Sequence, residues 1–204
     1  MKRVTIFVEG GPPKGQGKGN DLTRMREAFH SFLGVSSSVR IEVCGSRKDA
    51  YDEFTDALKN ETGRHFLLLV DSEAPLQEDQ PRWLHVLNRE GDGWKKPKEA
   101  TESQLHFMAQ CVESWLMADL ENLQNYYGPK LGSLPLTQNV EEIPKGELIS
   151  KLSQATRQTP RGEYHKTKHF PALFKATQRT KIQQRSPSSR RLFDHLKELG
   201  VMAD

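Results

Sequence analysis

Apolar positions along this chain follow two rhythms, and the switches between them predict alternating strands and helices. Val4–Val8 is a short apolar and β-branched run that predicts a buried strand. Leu22, Met25, Phe29 and Phe32 or Leu33 then recur at helical spacing as far as about Gly34, with Asp21 placed to cap the helix. The run 39–43 alternates and predicts a second strand. Ser46 can cap a second helix carrying Ala50, Tyr51, Phe54 and Leu58. Residues 66–70 are continuously apolar and end on Asp71, as in a central parallel strand covered on both faces.

The rhythm loosens at 74–103, which is rich in Pro, Gly and charge and predicts an excursion with a short helix around 83–87. Residues 105–109 predict a fourth strand, and 112–123 a helix that Tyr126, Tyr127 and Gly128 stop. After a loop at 129–144, helices are expected over 145–155, 171–177 and 187–199. The fold class is α/β: a parallel sheet of about four strands flanked by helices, with a basic helical C-terminal part. The expected division is an α/β domain over 1–144 with an extension over 145–204 packed on it.

Charge sharpens that division. Residues 1–144 carry 17 Lys/Arg against 22 Asp/Glu, and residues 145–204 carry 13 against 5. The net charge of +3 thus joins an acidic body to a basic C-terminal third, a split that fits nucleic-acid contact or simply a solvated basic surface. The longest apolar run is too short to span a bilayer, and the N-terminus lacks the longer apolar segment of a signal peptide. Cys44 and Cys111 have no metal-ligand spacing, so two free thiols in a cytoplasmic protein are expected.

In open parallel sheets, ligands bind beyond the carboxyl ends of the strands. The first strand ends in Glu9-Gly10, the third in Asp71-Ser72-Glu73, and the fourth leads into Glu113. Clustered carboxylates repel unless a cation compensates them. A few oxygen ligands with room for water and phosphate describe a Mg²⁺ or Mn²⁺ site. Singly, each residue also fits a strand end or a helix start in solvent, and Glu113 suits a helix N-terminus. Asp119, six residues after Glu113, falls about 240° around a regular helix, so the two do not share a face.

The loop 10–19 is glycine-rich, and Lys14 and Lys18 give it charge for a phosphate. It fails both the Walker and the dinucleotide patterns, because Pro12 and Asn20 stand where glycines are required. His165 and His169 enclose Lys166 and Lys168, which favours phosphate contact over metal binding. Arg190 and Arg191 fall in the first turn of the last helix, where cations oppose the dipole, and so are further phosphate candidates.

V-E-G at 8–10, L-V-D-S-E at 69–73 and C-V-E-S-W-L-M-A-D at 111–119 resemble the TOPRIM-like domains. Y-Y-G at 126–128, the helix beginning at Lys145 and Y-H-K-T-K-H at 164–169 extend the resemblance along most of the chain. It is similar to a family of small bacterial TOPRIM-like proteins often paired with ABC-type ATPases in anti-phage defence. The resemblance implies a Mg²⁺-dependent nuclease in which Glu9 acts as general base or ligand, Asp71 and Glu73 hold the metal, and an ATPase partner gates the activity. Glu113 is a further candidate ligand, Lys166 and Lys168 candidate catalytic cations, and Lys14, Lys18, His169, Arg190 and Arg191 candidate nucleic-acid contacts. The usual D-x-D is D-S-E here, and the loop after Glu9 is basic where many relatives carry another acid. An alternative is a catalytically inactive module that binds an ATPase or nucleic acid, and self-association stays open.

Overall fold

The computed structural model describes residues 3–11 and 19–203. Lys14 and Lys18 lie outside the described residues. Four strands, β1 (Val4–Val8), β2 (Val39–Val43), β3 (His65–Asp71) and β4 (Leu105–Met108), form one all-parallel sheet in the order β2-β1-β3-β4. The fold class is therefore the expected α/β sheet flanked by helices. β1 is buried at every position and β3 at all but its first. β2, at one edge, buries Val39, Ile41 and Val43 but exposes Arg40, which is why its sequence alternates.

Helix α1 (Gly19–Leu33) joins β1 to β2, and α2 (Arg47–Asn60) joins β2 to β3. Ser46 caps α2 through a reciprocal capping box with Asp49, as its sequence implied. The two helices cover opposite faces. Met25, Phe29 and Phe32 of α1 belong to the larger apolar cluster, and Ala50, Phe54 and Ala57 of α2 to the smaller. The chain thus reverses its direction of travel across the sheet between β1 and β3, the place where open α/β sheets open a crevice.

The excursion after β3 holds a short helix, α3 (Arg82–Asn88). Beyond β4, the single helix expected over 112–123 is two: α4 (Glu113–Met117) and α5 (Leu120–Tyr127). Asp119 makes the break. It has no exposed surface; its Oδ1 accepts from the Asn122 N–H at 3.3 Å to cap α5, and its Oδ2 accepts from the Gln178 N–H at 3.0 Å. Lys181 neutralises it at 2.7 Å.

Helices α6 (Lys145–Thr156), α7 (Lys166–Ala176), α8 (Arg179–Arg185) and α9 (Pro187–Glu198) complete the chain. α7 begins five residues before Pro171, which lies inside the helix and does not start it. α8 was not legible in the sequence, since it buries only Ile182 and shows no periodic face. Phe170, Phe174 and Phe193 of this part pack with Phe29, Phe32 and Trp115 of the body, so the basic third shares the core of the sheet's α1 face. Among the described residues, no helix is long and apolar enough to cross a membrane.

Candidate metal centre

The carboxyl ends of β1 and β3 meet at the reversal point. Gly10 and Gly45 exchange N–H···O=C bonds at 3.0 and 2.9 Å, closing the chain after β1 against the end of β2. Gly10 has φ 146° and Gly45 φ 86°, regions that favour glycine. This closure leaves Glu9 facing the end of β3. Its Oε2 accepts from the Asp71 N–H at 3.0 Å.

Asp71 is 1% exposed, and its Oδ1 accepts from the Val112 N–H at 2.8 Å. Glu73 turns back toward the same point. Its φ of 63° puts a non-glycine residue in the left-handed region, which costs about 1–2 kcal/mol. The bond from its N–H to the Gln110 carbonyl at 2.8 Å holds it there. Glu9, Asp71 and Glu73 each offer an oxygen, and these atoms all lie within 4.8 Å of one another. Among the described residues this is the one such grouping, and it holds three of the four acids expected at the strand ends. All its donors are carboxylate oxygens, a set suited to Mg²⁺ or Mn²⁺ and not to a thiophilic ion.

Glu113, 2% exposed, opens α4 beside this group without entering it. Its Oε1 accepts from the Tyr164 hydroxyl at 3.2 Å and pairs with the Lys166 ammonium at 3.4 Å. Lys166 also bears electrostatically on Asp71 and Glu9. The expected group of four acids is thus three carboxylates at one point, with a fourth linked to them through a lysine.

Two further cations were not anticipated. Arg47 donates to Glu9 Oε2 at 3.2 Å and to the Asp71 carbonyl; it pairs with Asp92 at 2.5 Å and lies 4.9 Å from the centroid of the Trp94 ring. Lys145 bridges Asp71 Oδ2 at 3.3 Å and Glu73 Oε1 at 2.6 Å. Gln110 sets the start of α6 by accepting from the Lys145 N–H at 3.2 Å.

A sequence signal for both existed. Arg47, Lys145 and Lys166 are each the first residue of a helix, where a cation opposes the macrodipole. Three helices that break the same local rule converge on one acidic point.

Burial and the Asp71 charge push the Glu9 carboxyl up to about 7, against the pull of Arg47. Burial, then Glu113 and Glu73, push Asp71 up to about 6 in spite of Lys166 and Lys145. For the two lysines the balance runs the other way. Burial disfavours each ammonium, but the surrounding carboxylates outweigh it and raise both.

The remaining candidates lie elsewhere. Lys168 is exposed on α7, where it lines a cavity with Arg24 and Glu27 of α1. His169 is 2% exposed and its Nδ1 accepts from the Tyr127 hydroxyl at 3.0 Å, so it is an interior residue and not a surface contact. Arg190 donates to the Gln183 carbonyl, and Arg191 to the Glu102 carbonyl at 3.0 Å. Both line a separate cavity near β4 in which Glu9, Asp71 and Glu73 take no part. Cys44 and Cys111 are free and buried, and burial raises both thiols, as for inert interior cysteines.

A family profile described as a domain of unknown function (DUF4276) matches residues 18–197. The chain belongs to the DUF4276 family. The match takes in Asp71, Glu73 and Glu113, and Arg47, Lys145 and Lys166 with them, while Glu9 precedes it. No curated protein and no solved structure matches the chain significantly.

Proposed function

We propose that this chain is a TOPRIM-like, Mg²⁺- or Mn²⁺-dependent nuclease that hydrolyses phosphodiester bonds in DNA or RNA. The observation that carries the reading is the convergence of Glu9, Asp71 and Glu73 within 4.8 Å at the reversal point of a parallel sheet. Asp71 and Glu73 would hold the metal, with Glu9 as a further ligand or as general base. When bound, the ion would neutralise charge on the scissile phosphate and acidify a water.

Glu9 suits proton abstraction, since burial and Asp71 place its carboxyl near neutrality. Lys145 and Lys166 stand where an ammonium would stabilise charge developing on a phosphate. Lys168, Arg190 and Arg191 would meet flanking phosphates, since none of the three forms an ion pair with a described carboxylate.

The resemblance to ATPase-paired defence proteins extends the proposal. The chain would act in the cytoplasm as the effector of an anti-phage system, gated in trans by an ABC-type ATPase. A purified chain that cuts nucleic acid at full rate without a partner would refute the gating.

One observation favours a second reading. Arg47 and Lys145 already pair with the three carboxylates, and Lys166 pairs with Glu113 beside them, so a divalent ion is not the sole counter-charge at hand. That would suit a non-catalytic module bound to an ATPase or to nucleic acid. Nuclease assays with Mg²⁺ or Mn²⁺, with and without the partner, separate the two. The first reading expects cleavage lost in Glu9→Gln and Asp71→Asn with folding retained; the second expects none in the parent chain under any of these conditions.

A further inference from the structure

α1 and α7 pack along one another, with the Phe29 ring 6.1 Å from that of Phe170 and 5.0 Å from that of Phe174. Outside this contact, Arg24 and Glu27 of α1 line a cavity of about 220 Å³ together with Lys168 and Lys175 of α7. Pro171 and Ala172 add apolar lining between the two lysines.

The three cations of this groove have no partners. Arg24, Lys168 and Lys175 are exposed, and among the described residues none of them forms an ion pair or a side-chain hydrogen bond. Glu27 is the one acid in the lining, and it pairs with none of them. Several other cations of the basic third are matched: Lys151 with Glu147, Lys181 with Asp119 and Glu121, and Lys197 with Asp194. Lys168 also stands in the first turn of α7, where a positive charge opposes the helix dipole, so the helix itself does not account for it.

The groove starts beside the carboxylate cluster. Lys166, the first residue of α7, pairs with Glu113 and bears on Asp71 and Glu9. Lys168 follows two residues later, and Lys175 lies roughly 13.5 Å along the axis from Lys166 at the rise of an α-helix. A row of unpaired cations therefore leads away from the acidic centre along one helix.

We propose that the α1–α7 groove holds the phosphate backbone of a nucleic-acid strand that continues into the metal centre, with Arg24, Lys168 and Lys175 each meeting a phosphate. The groove supplies the attraction that a polyanion needs to approach a cluster of carboxylates. Its continuity with that cluster favours a nucleic-acid backbone over an acidic peptide. The path into the centre rests on the nuclease reading; binding in the groove does not.

Fluorescence anisotropy of labelled single-stranded DNA and RNA of one sequence, with the full chain in EDTA at several salt concentrations, tests this. Because no metal is present, the assay reads the groove whether or not the chain cleaves. Changing Arg24, Lys168 and Lys175 together to Gln should flatten the dependence of log affinity on log salt by about 0.7 for each lost contact, equally for both strands. Lys130, Lys151 and Lys197 do not line this cavity, and changing these three to Gln removes the same charge but should leave the slope as in the parent. All three groove residues are exposed, so their replacement does not disturb the core. No binding by the parent chain at low salt, an equal loss in the two triple variants, or a loss confined to DNA or to RNA would each overturn the groove. So would groove-dependent binding of a polyglutamate peptide in place of the oligonucleotides, which would mark a surface for an acidic protein.

Discussion

The Lys145 ammonium stands 2.6 Å from Glu73 Oε1 and 3.3 Å from Asp71 Oδ2, bridging two of the three carboxylates that would hold a metal. An ammonium and a divalent ion compete for those oxygens. Lys145→Ala should therefore destabilise the metal-free protein, on the order of 2 kcal/mol, by leaving charged acceptors unpaired. The same change should enlarge the stabilisation by Mg²⁺ or Mn²⁺. Melting temperatures with and without metal measure both, and a metal shift no larger than the parent's would mean that Lys145 does not occupy the metal's place.

The raised carboxyls of Glu9 and Asp71 set the sign of a pH effect. Their ordinary values are 4.5 and 3.8, and in the folded chain they are pushed up to about 7 and about 6. Between the ordinary and raised values the folded state binds more protons than the unfolded state, so stability falls as pH rises. The metal-free chain should lose stability from about pH 4 to about pH 7 through these groups. Metal binding should release protons across that range, so the metal-induced shift should grow with pH. Glu9→Gln should flatten the dependence, and denaturant melts at several pH values would show it.

Asp119 and Glu113 separate stability from chemistry. Asp119 caps α5 and fixes the start of α8 through the Gln178 N–H. Asp119→Ala should cost about 2–4 kcal/mol, from a lost cap and an unpaired Gln178 N–H, with Lys181 still held by Glu121, and leave metal affinity unchanged in the folded fraction. Glu113→Gln should disturb Lys166 and, under the nuclease reading, reduce cleavage. Equal effects of both changes on metal affinity would contradict the structural role of Asp119.

Among the described residues, Arg190 and Arg191 have carbonyl partners and no ion pair, which leaves them as candidate phosphate contacts. If they contact nucleic acid, replacing both with Ala should flatten the dependence of log affinity on log salt by roughly 0.7–0.9 per lost contact. The loss should be similar across sequences, because phosphate contacts carry no base information. Binding isotherms at several salt concentrations decide it, and an unchanged slope removes both residues from the interface.

The sequence by itself determined the four strands and the acidic strand ends. Apolar runs such as 66–70 encode a buried strand through local side-chain chemistry, and the parallel topology then sends Glu9 and Asp71 to one edge. Tertiary structure alone decided which charges meet there. Glu113 and Asp119 stand six residues apart and off one helical face; Glu113 lies beside the site, linked to it through Lys166, while Asp119 breaks the helix and props α5 and α8, roles that depend on which distant residues pack against each. Arg47 and Lys145 reach Asp71 across 24 and 74 residues, so the first turns of α2 and α6 could signal a misplaced cation but not its partner. The position of an ion pair depends on where distant helices pack, and that packing is set by the shared apolar core, not by the residues that form the pair.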